Sequence, residues 1–190
     1  MSRQAGGNRI RIIGGENRGR ILHFPDAPGL RPTADRVRET LFNWLQFDSS
    51  GARCLDLFAG SGVLGFEAAS RGAARVVLVE QARRVFSMLE KNMADMKLGD
   101  RVEVVNSDAL QWLAQNREGF DIIFLDPPFG QGMLQPVIDA LSGSPAVASG
   151  TRVYIEQESH EEHPHLPANW QMLREKVAGQ VRYGLAGIET

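Results

Sequence analysis

The run Asp126-Pro127-Pro128-Phe129 sets a carboxylate, two prolines and an aromatic ring directly after an apolar stretch, residues 120–125. An exocyclic amine on a planar base is a poor nucleophile, because its lone pair is delocalised into the ring. Two acceptors aimed at its two N–H protons draw the nitrogen toward tetrahedral geometry and localise that pair. The Asp126 carboxylate and a proline carbonyl, assigned to Pro127, are such acceptors. Successive prolines fix φ and supply no donor of their own, so the carbonyl is held rigidly. Phe129 offers a flat face on which an extruded base can stack. The plain alternative is a rigid proline turn that ends a strand.

A second constellation supplies the partner for that amine. Leu55-Asp56-Leu57-Phe58-Ala59-Gly60-Ser61-Gly62-Val63-Leu64-Gly65 places a strand before a Gly-x-Gly-x-x-Gly turn that opens a helix, and Glu80 ends the next strand 20 residues after Gly60. Gly60 and Gly62 let backbone approach a ligand, the helix N-terminus offers free N–H groups, and Glu80 can accept from both ribose hydroxyls. Asp56 decides which nucleotide. A carboxylate there repels a pyrophosphate, whereas S-adenosylmethionine has no phosphate and carries a sulfonium and an ammonium. Asp108 can accept from the adenine amino group while the Ala109 amide donates to the ring. A tight strand–helix turn without a ligand is the alternative, and an NAD-dependent oxidoreductase is disfavoured by Asp56.

These residues need a scaffold that gathers them. From residue 52 onward, short β-branched runs (52–58, 75–80, 101–106, 120–125, 151–156) alternate with amphipathic stretches (62–71, 81–97, 109–117, 132–142), the pattern of βαβ units and a parallel α/β sheet. Two closing runs, 170–177 and 180–186, read as an antiparallel hairpin at one sheet edge. Ahead of this body, Arg9 to Ile13 and Arg20 to Phe24 read as a basic β-hairpin turning at Gly14-Gly15-Glu16-Asn17. A Pro/Gly-rich connector then leads to a helix over 33–47, with Val37, Leu41, Trp44 and Leu45 on its apolar face and Arg36, Arg38 and Glu39 on the polar side. The expected division is an arm and hairpin over 1–31 and a catalytic domain over 32–190.

Charge is split along the same line. Residues 1–38 hold eight arginines, no lysine and three acids, a segment of +5, while the rest carries 13 basic and 20 acidic side chains, or −7. A cationic edge on an anionic body points to a polyanion met at one end, and arginine favours phosphate because its guanidinium binds bidentately. Arg9, Arg11, Arg18, Arg20, Arg31, Arg36 and Arg38 are therefore the candidate RNA contacts, against the bland reading of a solvated basic arm.

Composition excludes other classes. A chain of 190 residues, 43% hydrophobic and 23% charged, is neither disordered nor fibrous. Cys54 is its single cysteine, which rules out an internal disulfide and Cys-based metal sites and fits a reducing, cytoplasmic setting. No apolar run is long enough for a membrane span or a signal peptide, and no metal is expected. The cluster His160, Glu161, Glu162, His163 and His165 reads as a solvated acidic loop. Trp44, Trp112 and Trp170 read as packing residues, Cys54 as a small buried hydrophobe, and Glu67 as a solvent-facing or hydrogen-bonded helix residue rather than a contact to the cofactor's ammonium.

Three stretches together carry a resemblance. Ile12-Ile13-Gly14-Gly15 with Arg18-Gly19-Arg20, then Leu30-Arg31-Pro32-Thr33 running through Asp35-Arg36-Val37-Arg38-Glu39-Thr40-Leu41-Phe42, and Asp126-Pro127-Pro128-Phe129 resemble the ribosomal small subunit methyltransferase D family. The resemblance runs from about residue 9 to 130. It implies a class I, Rossmann-like methyltransferase fold, with a seven-stranded sheet whose last strand is antiparallel, preceded by the hairpin. It further implies S-adenosylmethionine-dependent methylation of N2 of one guanine, position 966 of 16S rRNA, in an assembled or assembling small subunit; a monomer is expected. Adenine-N6 or protein-amide methylation, and a non-catalytic RNA-binding assembly factor, are the rival functions.

Overall fold

The computed structural model describes residues 8–189, so the arm ahead of Asn8, with Arg3, lies outside the described residues. A short antiparallel hairpin, β1 (Asn8–Arg11) and β2 (Ile21–Phe24), precedes α1 (Asp35–Trp44). The body then alternates β3 (Arg53–Asp56), α2 (Val63–Ser70), β4 (Arg75–Glu80), α3 (Arg83–Asp95), β5 (Val102–Asn106), α4 (Ala109–Gln115), β6 (Ile122–Leu125), α5 (Leu134–Ser142) and β7 (Arg152–Glu158). It ends on β8 (Trp170–Ala178) and β9 (Val181–Ile188).

Seven strands form one sheet in the order β5-β4-β3-β6-β7-β9-β8. The first five are parallel, and β9 runs antiparallel to both β7 and β8. The central strands are buried on both faces, as parallel strands covered by helices must be, and all four residues of β6 are buried. Alternation along each strand divides the core. Cys54, Val76, Leu78, Ile122 and Phe124 face a cluster with α1, α2 and the hairpin's Ile12 and Leu22, whereas Leu55, Val77, Val79, Ile123 and Leu125 face a cluster with α4 and α5. Among the described residues no helix is long and apolar enough to cross a membrane.

The hairpin is fastened to the body by polar contacts as well as by its apolar face. The Glu16 amide donates to the Ser70 carbonyl at 2.8 Å, and Asn92 of α3 bonds both the amide and the carbonyl of His23 at 3.1 and 2.7 Å. Gly15, at φ +74°, brings its backbone so close to Ser70 that a Cβ would lie 1.9 Å from the Ser70 oxygen.

Two sequence expectations change at α1. The helix begins at Asp35 rather than 33, with no side-chain cap at Ala34. Arg38, expected on the polar side, is fully buried. The reason is a charge partner 29 residues away: Glu67, alone among the apolar and small side chains of α2, is also fully buried and lies 3.2 Å from the Arg38 guanidinium. Arg38 also pairs with Asp35 and donates to the carbonyls of Arg11 and Thr33. Glu67 in turn accepts from the amides of Ile13 and Gly14 and from Arg71. A buried ion pair persists only when its remaining hydrogen-bonding capacity is met in this way.

Candidate functional site

In the strand order the chain turns left from β3 to β4 and β5, then returns to β6 on β3's other side. Open α/β sheets place ligands at the carboxyl ends beside such a switch point. The acids lie there. Asp56 ends β3, Glu80 ends β4, Asp126 follows β6, and Glu156 sits near the end of β7. Together they line a cavity of about 820 Å³, within the range that holds small ligands and cofactors.

Most of the residues expected from sequence meet on its wall: Asp56, Gly60, Glu80, Asp108 and Ala109 on the nucleotide side, Asp126, Pro127 and Phe129 on the other, and Arg31 and Arg36 at the rim. Gly62 does not line it. At φ +77°, with a Cβ position only 2.5 Å from Leu89, it shapes the turn against α3, and its amide donates to the Ala59 carbonyl at 2.7 Å. Gly62, expected among the cofactor-binding residues, thus lies off the cavity wall and lets the loop fold without forming it.

The nucleotide side is held taut by its own carboxylates. Glu80 accepts from the Gly60 amide at 3.0 Å and from the Ala82 amide at 2.7 Å, which fixes the glycine loop relative to β4. Asp108 caps α4 by accepting from the Gln111 amide at 3.0 Å. Each carboxylate keeps further lone-pair sites for a ligand. Asp56 accepts from the Phe58 amide at 3.3 Å, and burial, with the Glu80 charge adding, pushes its pKa up to about 7. A cluster of buried and half-buried acids suits a cation, so the donor set fits S-adenosylmethionine rather than a pyrophosphate.

Behind Asp126 lies a network that the sequence reading did not find. The Thr33 hydroxyl sits 3.3 Å from Asp126 Oδ2 and 3.2 Å from Glu156 Oε2, and the Tyr154 hydroxyl donates to the same Glu156 oxygen at 2.7 Å. Burial, then the Glu156 and Asp56 charges, raises Asp126 well above the usual carboxylate range, with Thr33 pulling the other way. Burial likewise raises Glu156, opposed by its bonds from Tyr154 and Thr33. One available signal was the acid at the end of each central strand, a series that Glu156 continues.

The candidate RNA contacts divide. Arg9, Arg11 and Arg18 are exposed, with no side-chain partner among the described residues, as are Arg31 and Arg36. Arg20 is exposed but donates to the Asp95 carbonyl at 2.6 Å. Arg38 is removed from the set by its burial. Elsewhere, Cys54 is a buried thiol held in its neutral form. Trp44 stacks on Tyr183, and Trp112 packs against Phe120. His163 lies 3.2 Å from Glu175, and among the described residues no group of three or more His, Cys, Asp or Glu is placed to hold a metal.

The sheet order, the antiparallel β9 and the acid-lined cavity at the switch point define a class I methyltransferase architecture. Residues 10–186 match the family described as Conserved hypothetical protein 95. Over 181 residues the chain is 52% identical to ribosomal RNA small subunit methyltransferase D of Escherichia coli strain K12, covering 95% of this chain and 91% of that protein. The Haemophilus influenzae protein of the same name is 43% identical over 92% of its own length and 93% of this chain. The solved structure of the E. coli candidate methyltransferase yhhF superposes with a TM-score of 0.89 at 49% identity, covering 96% of this chain and 99% of that one. The chain belongs to the ribosomal small subunit methyltransferase D family.

Proposed function

We propose that this protein transfers a methyl group from S-adenosylmethionine to N2 of a single guanine, position 966, of 16S rRNA, acting as a cytoplasmic monomer on the small subunit or an assembly intermediate. The observation that carries this reading is the meeting of two motifs, 70 residues apart, on one cavity wall: Asp56 on the nucleotide side and Asp126 on the other. The names of the relatives supply the RNA class.

When bound, S-adenosylmethionine supplies an electrophilic methyl carbon on a sulfonium. Asp56, Glu80, Asp108 and the Gly60 loop hold it, and the carboxylates neutralise its cationic charge. Asp126 and the Pro127 carbonyl accept from the two N–H groups of the base and turn its lone pair toward the methyl. Phe129 stacks on the base, and orientation supplies most of the rate. Arg9, Arg11, Arg18 and Arg20 of the hairpin, with Arg31 and Arg36 at the rim, meet phosphates of the surrounding RNA.

The test incubates the protein with methyl-labelled S-adenosylmethionine and unmodified small subunits, then digests the rRNA and identifies the labelled nucleoside and its position. Labelled N2-methylguanosine at one site is the expected result. Label in N6-methyladenosine or in protein assigns the site to another planar amine, and RNA binding without label leaves an assembly factor.

A further inference from the structure

Thr33 has one hydroxyl proton and two carboxyl neighbours. With its oxygen 3.3 Å from Asp126 Oδ2 and 3.2 Å from Glu156 Oε2, it can donate to only one of them at a time. The other contact is a hydrogen bond only when that carboxyl group itself carries a proton and donates back to Thr33. The three groups form a chain with two equivalent arrangements of protons, the wiring of a relay. Tyr154 anchors its far end by donating to Glu156 at 2.7 Å, and Arg38 fixes the middle by holding the Thr33 carbonyl at 3.1 Å. Both carboxyl groups line the cavity, and Glu156 also lines a second, smaller opening beside Gly130, Gly132 and Glu161.

The geometry points to a proton relay in which Thr33 and Glu156 clear the proton that Asp126 takes from the methylated nitrogen. This rests on the amine methylation proposed above. As the nitrogen–carbon bond forms and the sulfur–carbon bond breaks, sulfur keeps the bonding pair and the nitrogen is left with one proton too many. The Asp126 carboxylate takes that proton and passes it to Thr33 Oγ1, while the Thr33 hydroxyl proton moves on to Glu156 Oε2. Asp126 is a carboxylate again, the Thr33 hydroxyl is regenerated, and Glu156 holds the proton until water in the second opening removes it. Thr33 and Glu156 touch neither substrate nor methyl donor in this scheme; they are positioning residues that act through Asp126.

The other titratable groups facing this chain are Asp56 from β3, Glu158 and Tyr154 from β7, and Tyr183 from β9, which lies opposite Glu156 in the register. Arg38 is the cation, met through the Thr33 backbone. The signs follow from these neighbours. Glu156→Gln removes a negative charge beside Asp126, so Asp126 ionises at lower pH. Thr33→Val removes the donor to Asp126, so Asp126 ionises at higher pH. Thr33→Ser keeps the hydroxyl and restores the parent behaviour.

The experiment reads Asp126 directly, by carboxyl-carbon NMR of the ligand-free protein through a pH titration, and then follows multiple-turnover methyl transfer to small subunits over the same range. Glu156→Gln is expected to move both the Asp126 titration and the acid limb of the rate profile down by about one pH unit or more, and Thr33→Val to move both up. Thermal unfolding of each variant separates a loss of folding from a displaced profile. Titrations that coincide in all the proteins, or rates that fall equally at every pH, overturn the relay. Absence of labelled guanine with the unaltered protein overturns the proposed function instead, while the NMR titration still reports the coupling of the two carboxyl groups.

Discussion

On the outward face of the hairpin, Arg9 and Arg11 stand in solvent with no side-chain partner among the described residues, whereas at the carboxyl edge of the sheet Asp56 is buried, Asp126 is half-buried, and both are already hydrogen-bonded. Both are concentrations of one sign of charge. The exposed set has paid no desolvation cost, so it can meet phosphates at many angles and its binding is screened by salt. The buried set is fixed in advance, so its charges act strongly on whatever enters the cavity. Arg38 shows that chain position does not assign a residue to either set: it lies in the cationic leading segment yet is fully buried, like Asp56, and matched to Glu67.

The largest expected effect breaks that third case. Arg38→Ala breaks a fully buried ion pair and leaves Glu67 with the partly exposed Arg71 and two backbone amides, and should cost about 3 kcal/mol of stability in denaturant unfolding. Replacing Arg9, Arg11 or Arg18 singly should change stability by no more than about 0.5 kcal/mol. Similar small losses at all four positions would put Arg38 among the solvent-facing arginines. Next in size, Asp126→Ala should lower turnover by on the order of 10² or more while leaving cofactor affinity nearly unchanged, because in the proposed function it removes an acceptor for the reacting amine. An active variant would take Asp126 out of that role. For the exposed set, removing Arg9, Arg11 and Arg18 together should flatten the slope of log affinity against log salt by about 2, the counterion release of three phosphate contacts on single-stranded RNA. An unchanged slope returns them to the reading of a solvated arm.

How much of this was legible in the sequence depends on the range of the interaction that decides it. The alternation of strands and helices is local, and β4, β5 and β6 lie where the β-branched runs place them. Asp56, Glu80 and Asp126 were legible because each ends or directly follows a strand, and the carboxyl edge collects strand ends whatever the intervening loops do. Arg38 and Thr33 were not legible in their roles. Each is decided by a partner far along the chain, Glu67 at a separation of 29 residues and Glu156 at 123. Helical periodicity counts only the residues of one element, so it assigns an arginine to solvent unless a lone acid on another apolar helix is noticed and matched to it. The place of Gly62 was hidden for a related reason: the Gly-x-Gly pattern reports that the turn is tight, without telling which glycine lines the cavity and which packs against Leu89.

The smallest effect refines the picture of the buried set itself. With its pKa pushed up to about 7, Asp56 is largely protonated at pH 6 and largely ionised at pH 8. Its raised value means that the fold pays for ionisation, and the sign of the consequence follows. A bound cation stabilises the carboxylate, so cation binding should strengthen as pH rises through 7, by up to about tenfold per unit on the acid side. S-adenosylmethionine and S-adenosylhomocysteine make the measurement selective, since both carry the ammonium and only the first carries the sulfonium. Calorimetric titration of each between pH 6 and 8 should show affinity rising for both if Asp56 serves the ammonium, and for the methyl donor alone if it serves the sulfonium. In either case Asp56→Asn should remove the dependence. A flat profile for both ligands in the unaltered protein would mean that Asp56 faces no cation, and the cavity's preference for one would then have to come from Glu80 and Asp108.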